Sequence, residues 1–131
     1  MIHGRTGVLV ALATMLLAGS AWAHHNMSAL FDFNNRFTVT GTLTTVDWRN
    51  PHIAFSVDAK NDQGQVETWV FEGPNPGFFR IRDVGKSDFV SAMGKTVTAD
   101  ASRARDGSRS GLLRIVTLPD GKVVSACPQN C

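Results

Sequence analysis

A mainly β fold is predicted for this 131-residue chain, and three observations carry the prediction. Apolar and polar residues alternate along several runs, which is the two-residue period of a strand with one buried face. Clusters of Gly, Asn, Asp and Pro separate these runs and mark turns. Between the third and fourth runs, one stretch changes to helical spacing. The chain should therefore form a small antiparallel β domain with one short helix.

The first predicted strand changes its buried parity part-way along. Odd-numbered positions are apolar or glycine from 37 to 43, whereas Val46 and Trp48 take the even parity. A β-bulge near Thr44 and Thr45 accounts for the change, because one extra residue turns the following side chains to the opposite face. A long strand that bends in its middle suits a small closed barrel.

The order of the remaining elements reduces the number of folds that the sequence allows. Asn75 followed by Pro76 is typical of a helix N-cap and first helical residue, and Gly85 is suited to end that helix. Strand, strand, strand, helix, strand, strand is the order of an OB-fold, a five-stranded, partly open barrel. A plain antiparallel sandwich or roll is the alternative. The further strands are predicted at 53–59, 66–72, 96–101, 112–118 and 122–124, with another helical turn at 87–93.

The first 23 residues are typical of a secretory signal peptide. Arg5 gives a basic start, residues 8–18 are apolar, and Ala21-Trp22-Ala23 places small residues at the cleavage position. The apolar run is too short for a stable membrane span. We therefore expect a soluble periplasmic or secreted product with no membrane span after cleavage.

Cleavage after Ala23 leaves 108 residues, the size of one domain with a modest core. Removing Arg5 with the signal peptide lowers the formal net charge from +2 to +1. So small a charge argues against nucleic acid as the partner, which requires a basic face. Predicted segments are the signal peptide at 1–23, an N-terminal segment at 24–36, an OB-like domain at 37–126 and a tail at 127–131.

Charged residues are interpreted as solvated surface. A local anion patch is the alternative interpretation for two groups of arginines, Arg80 with Arg82, and Arg103 with Arg105, Arg109 and Arg114. Isolated charges and charge runs usually face water, so the sequence favours solvated surface.

Both cysteines, Cys127 and Cys131, lie in the last five residues. An oxidising compartment favours a small disulfide loop between them. A pair of thiol ligands for a soft metal ion is the alternative, and Cys-x-x-x-Cys spacing alone is weak evidence for it.

Three histidines are the predicted ligands of a candidate metal site. Cleavage after Ala23 would give His24 a free α-amine beside its imidazole, and His25 adds a second ring. After His25 the chain contains one further histidine, His52, at the predicted corner between the first two strands. Because an α-amine titrates at about pH 8, a metal ion displaces its proton readily. Nitrogen donors favour copper(II), with zinc as competitor, and the Met27 thioether suits copper(I).

Each part of this site has a simpler interpretation. His24 and His25 are consistent with a loose terminus that binds nothing specific. His52 is equally consistent with a turn residue whose ring packs against Trp48 and bonds to backbone. The hypothesis therefore requires the mature N-terminus to fold back toward His52.

Several motifs together resemble a bacterial domain-of-unknown-function family of small exported proteins with a barrel-like β domain. The resemblance implies an envelope location and this fold, and it implies no activity. The motifs are His24-His25, Phe31-Asp32, Gly41-Thr42-Leu43, Trp48-x-Asn50-Pro51-His52, Glu72-Gly73, Asp106-Gly107-Ser108-x-Ser110-Gly111-Leu112-Leu113-Arg114 and Thr117-Leu118-Pro119-Asp120-Gly121.

A second hypothesis is a barrel that binds a peptide, saccharide or cell-wall fragment on an aromatic platform. Trp48, Phe55, Trp69 and Phe71 are its candidates, and filling the core is the alternative role for all four. A module that docks an envelope protein without a metal is a third possibility. Catalysis is not predicted, because the sequence contains no nucleophile elbow, phosphate loop or His-Glu-x-x-His motif.

Overall fold

The computed structural model describes residues 27–127. The chain divides into two units, Met1–Leu30 and Phe31–Cys131. In the first unit the described residues, 27–30, are helical. The predicted signal peptide at 1–23, the two neighbouring histidines His24 and His25, and Cys131 lie outside the described residues. Among the residues that are described, no helix is long and apolar enough to cross a membrane.

The second unit is mainly β, as predicted. Two short helices lie between the third and fourth strands, α1 at Pro76–Arg80 and α2 at Lys86–Ser91, where the sequence predicted one helix and a further helical turn at 87–93. The strands are β1 at Phe31–Asp47, β2 at Ala54–Lys60, β3 at Val66–Glu72, β4 at Thr96–Ala104, β5 at Ser110–Thr117 and β6 at Val123–Ser125.

The six strands form one sheet in the order β3-β2-β1-β4-β5-β6. These neighbours are antiparallel. A short parallel pairing also joins β3 to β5, where Val70, Phe71 and Glu72 face residues 110–112. The pairings therefore run from β1 through β2, β3, β5 and β4 back to β1, while β6 lies outside this circuit against β5.

The predicted bulge in β1 is confirmed, because the β1–β2 register shifts between Leu43 and Thr45. Before this shift β1 pairs with β4, and after it β1 continues with β2 alone. The strand begins at Phe31, six residues before the predicted start of the β domain. A second register shift, between Asp32 and Arg36, interrupts this early part.

The core is built from aromatic residues of both the sheet and the helices. Phe55 of β2 and Phe71 of β3 lie 5.4 Å apart between ring centroids. The helices add Phe79 and Phe89, whose centroids are 6.2 Å apart, and Phe89 also lies 5.6 Å from Phe55. All four rings are at most 1 % exposed. Burial of these rings therefore attaches α1 and α2 to the sheet, although each helix is too short to be stable alone.

Helix α1 begins as predicted but ends early. The Asn75 Oδ1 atom accepts a hydrogen bond from the Phe78 N–H at 2.9 Å, and Pro76 occupies the first turn. The predicted end at Gly85 is wrong, because α1 stops at Arg80 and Asp83 adopts a positive φ of 55°. Aspartate is one of the few non-glycine residues that tolerate this conformation.

Gly85 instead precedes α2, and its N–H donates to Asp88 Oδ2 at 2.8 Å. Asp88 Oδ1 lies 2.9 Å from the Lys122 ammonium group, which tethers α2 to the turn before β6. The Gly85 N–H and, secondarily, Lys122 hold the pKa of Asp88 below its ordinary value. The carboxylate thus accepts a hydrogen bond from a backbone N–H at the start of α2 and forms an ion pair with a lysine from another element.

Replacing Asp88 with alanine is expected to lower the free energy of unfolding by about 1–2 kcal/mol at pH 7. Because the folded-state pKa is lowered, this stability is fully present above the unfolded value and is lost as the pH falls through the folded value. Urea unfolding at pH 7 and pH 3 measures the effect. The gap between wild type and variant should narrow at pH 3, whereas Asp62→Ala, at an exposed turn carboxylate, should change little at either pH.

Candidate functional site

His52 lies in the loop of residues 48–53 that joins β1 to β2, and its side chain is 40 % exposed. The loop is fixed at both ends. Trp48 packs its ring 5.4 Å from Phe79 and 5.2 Å from Phe89. Ile53 is buried and donates its N–H to Pro74 O at 3.1 Å. His52 is therefore an exposed side chain on a firmly anchored backbone.

The imidazole of His52 is held from one side by the end of β3. Its Nδ1 atom lies 3.2 Å from Gly73 O and 3.5 Å from Glu72 Oε1. A carbonyl oxygen can only accept, so Nδ1 carries the hydrogen of this bond. In the neutral ring, Nε2 then holds the lone pair. Metal-binding histidines are oriented in the same way, by a carbonyl or carboxylate that accepts from the second ring nitrogen.

The other predicted metal ligands belong to the first unit, Met1–Leu30. His24 and His25 lie outside them, and Met27 is a half-buried member of the helical residues 27–30. Across residues 27–127, no group of three or more His, Cys, Asp or Glu side chains is placed to hold a metal ion. The carboxylate of Asp47, the last residue of β1, is paired with Arg49 at 2.8 Å.

Cys127 is half-buried at the end of the described chain. Its N–H donates to Ser125 Oγ at 3.3 Å, and its sulfur lies 3.7 Å from Arg114 O. Cys131 lies outside the described residues, so a Cys127–Cys131 disulfide stays a prediction.

The four residues of the predicted aromatic platform separate into two kinds. Phe55 and Phe71 are 1 % and 0 % exposed, so they cannot touch a ligand in the folded protein. Trp48 and Trp69 are half-buried and pack against the core. Trp48 lies with the helix phenylalanines, whereas Trp69 lies 5.0 Å from Phe37. The set does not form one exposed face, because Phe55 and Phe71 lie within the core.

Sequence reasoning missed the position of Arg103. Its guanidinium carbon lies 4.5 Å from the centroid of Phe37 and 5.2 Å from that of Trp69. The residue is half-buried, unlike the exposed Arg105 and Arg109. The sequence signal for this position was incomplete, because position 103 continues the parity of the buried residues Val97, Ala99 and Ala101, whereas the adjacent Ser102 and Ala104 are buried on the opposite parity.

A protein-family model described as "Family of unknown function (DUF6152)" matches residues 12–114 of the chain. The chain belongs to this family. The resemblance inferred from the motifs is thereby confirmed at the level of a family without a known function. No curated protein and no solved structure matches the chain.

The DUF6152 match covers both histidine clusters, His24-His25 and His52, together with Arg103. It ends before Cys127 and Cys131. The candidate metal ligands and Arg103 therefore lie inside the family segment, and the cysteine tail lies beyond it.

Proposed function

We propose that this DUF6152 protein is exported to the periplasm or secreted and binds a transition-metal ion, copper before zinc. His52 is one ligand, the processed terminus contributes His24 and His25, and Met27 is an accessory donor. The observation that carries the proposal is the bond between His52 Nδ1 and Gly73 O. It directs the remaining ring nitrogen, Nε2, to serve as the metal-binding atom.

The surroundings of His52 support this role. Glu72 Oε1, 3.5 Å from Nδ1, adds a carboxylate beside the carbonyl acceptor. Such outer groups fix the ring and increase the basicity of the free nitrogen, and losing one typically weakens metal affinity about 10–100-fold. The ring is also accessible, since 40 % of the side chain is exposed. Its loop is anchored on both sides, which reduces the entropy lost on binding.

The participation of His24 and His25 rests on their sequence. Signal cleavage after Ala23 would combine an α-amine and two imidazoles within two residues. This donor set prefers copper(II) among the first-row divalent ions, as the Irving–Williams order describes. Together with His52 it would supply every imidazole of the mature chain, because the remaining histidine, His3, belongs to the predicted signal peptide.

We also propose that the β domain is an OB-like barrel. Strand pairings that return to β1, a parallel β3–β5 contact and helices between β3 and β4 support this assignment. The loop between the first and second strands is one of the places where OB-folds bind ligands. His52 occupies that loop, which agrees with a binding role at this end of the domain.

Replacing His52 with alanine is expected to weaken copper(II) binding at least about a hundredfold, and Glu72→Gln about tenfold. The protein is exported from a bacterial host, its N-terminus is verified by mass spectrometry, and copper(II) is titrated against a competing chelator. Arg49→Ala serves as the matched control, because Arg49 is an exposed side chain of the same loop that does not bond His52. Equal affinity in wild type and His52→Ala would remove His52 from the site.

The alternative of a peptide-, saccharide- or cell-wall-binding barrel is less well supported. Two of its four aromatic candidates, Phe55 and Phe71, are buried. If the processed protein failed to bind copper or zinc at all, a protein-interaction module without a metal would become the better explanation.

A further inference from the structure

Three strands bring an arginine and two aromatic rings together within the second unit. Phe37 lies on β1, Trp69 on β3 and Arg103 on β4, and the two ring centroids are 5.0 Å apart. The guanidinium group lies over both rings, within the distance of a cation–π contact. On β5, Gly111 leaves room for this cluster, because a Cβ there would lie 2.8 Å from the Phe37 ring.

The other arginines at this end of the sheet have carboxylate partners. Arg109 donates to Glu67 at 2.9 Å, and this bond, with one from Asn61, holds the pKa of Glu67 below its ordinary value. Arg105 lies 3.8 Å from Asp32. Asp32 is the residue opposite Arg103 in the β1–β4 register, yet its contacts are with Arg105 and the Asn34 N–H.

Arg103 differs from these arginines. Among the residues that the structure describes, no oxygen accepts a hydrogen bond from its guanidinium group, and no carboxylate lies within ion-pair distance. The nitrogen atoms of the Arg103 guanidinium group nevertheless remain accessible, since none of them is among the buried side-chain atoms that lack a hydrogen bond in residues 27–127. The positive charge is thus fixed in place, accessible and uncompensated within this part of the chain.

We infer that Arg103, framed by Phe37 and Trp69, is a binding site for a small carboxylate ligand. A cation–π contact does not occupy the N–H donors of the guanidinium group with hydrogen bonds, so they stay available to a carboxylate, which matches their fork geometry. One uncompensated positive charge suits one carboxylate, whereas a phosphate dianion calls for further donors. This site lies apart from His52 in its residues and does not depend on the metal proposal.

The test uses benzoate as the probe and the tryptophan indole N–H signals of ¹⁵N-labelled exported protein as the readout. Trp69 is in the site, while Trp48 packs on Phe79 and Phe89 and reports on the fold. In wild type, benzoate should shift the Trp69 signal saturably and leave the Trp48 signal in place. Arg103→Gln should weaken binding at least about tenfold, since it removes a charge-assisted bidentate contact.

Two further variants separate this site from general surface charge. Arg105→Gln removes a neighbouring cation that has its own partner, so it should keep wild-type affinity. Arg103→Lys keeps the charge but loses the fork, and it should bind with intermediate affinity. The inference is overturned if benzoate produces no saturable shift, if Arg103→Gln binds as well as wild type with an unchanged Trp48 signal, or if inorganic phosphate binds and benzoate does not.

Discussion

Replacing Phe79 with alanine is expected to lower the free energy of unfolding by about 3–5 kcal/mol. Phe79 is 0 % exposed, and its ring contacts Trp48, Phe78 and Phe89. Removing the ring leaves a cavity whose walls come from separate elements, so the site cannot collapse easily. Urea unfolding followed by far-ultraviolet circular dichroism measures the loss.

The Phe79→Ala substitution should also weaken metal binding, because Trp48 begins the loop that carries His52. Loss of Phe79 removes one of the two rings against which Trp48 packs. Copper(II) affinity of Phe79→Ala should therefore fall even at temperatures where the variant remains folded. Ile81→Ala is the control, since Ile81 is 78 % exposed and should change stability by less than about 0.5 kcal/mol. A Phe79→Ala loss as small as that of the control would contradict the assigned packing.

Replacing Gly41 with alanine is expected to destabilise the fold by about 3 kcal/mol or more. A Cβ atom at this position would clash with the backbone oxygen of Asp58 and would also meet Val57. The obstacle is the backbone of β2 rather than a flexible side chain, so β1 and β2 would have to move apart. The unfolding free energy of the variant, measured in urea, gives the size of the effect.

Thr42→Ala provides the matched control for Gly41→Ala. Thr42 is the next residue of β1, is exposed, and pairs with Asp58 and Thr96 in the sheet. Its replacement removes some strand preference and should cost less than about 1 kcal/mol. If the two variants were equally stable, the close approach of β1 to β2 at Gly41 could not be the reason for a glycine there.

Local patterns predicted the elements whose boundaries are set by local chemistry. The third strand was predicted at 66–72 and is found there, and the cap formed by Asn75 was predicted from the residue that follows it. The bulge near Thr44 was readable because a change of parity is visible in the sequence. The early end of α1 could not be predicted, because nothing in the sequence around Asp83 indicates that this residue adopts a left-handed backbone conformation.

The hypothesis of an aromatic platform shows a second limit of prediction from the sequence, which concerns the exposure of side chains. Alternation places Trp69 and Phe71 on one face of β3, but it does not reveal how completely that face is covered along its length. Phe71 lies against Phe55 and is fully buried, whereas Trp69, two residues earlier, remains half-exposed beside Phe37 and Arg103. Only the assembled sheet separates these two environments.

For the candidate metal site, the sequence predicted that His52 lies between two strands. It could not predict the bond to Gly73, because that bond requires the end of β3 to lie beside the loop after β1. Arg103 was missed for a related reason. Its partners Phe37 and Trp69 come from two strands that are distant in the chain, and charge patterning treats an arginine as solvated by default.

The division of β1 between two partners has a consequence for how the chain folds. Its second half pairs with β2, the next strand in sequence, while its first half pairs with β4, from Phe31 opposite Ala104 to Thr42 opposite Thr96. Closing so long a segment is slow compared with forming a hairpin. In a folding chain, the first part of β1 would thus remain an open edge until β4 has paired with it. The threonines Thr38, Thr40 and Thr42 keep the exposed face of that edge polar. Association with another chain is therefore less favourable before β4 pairs with β1.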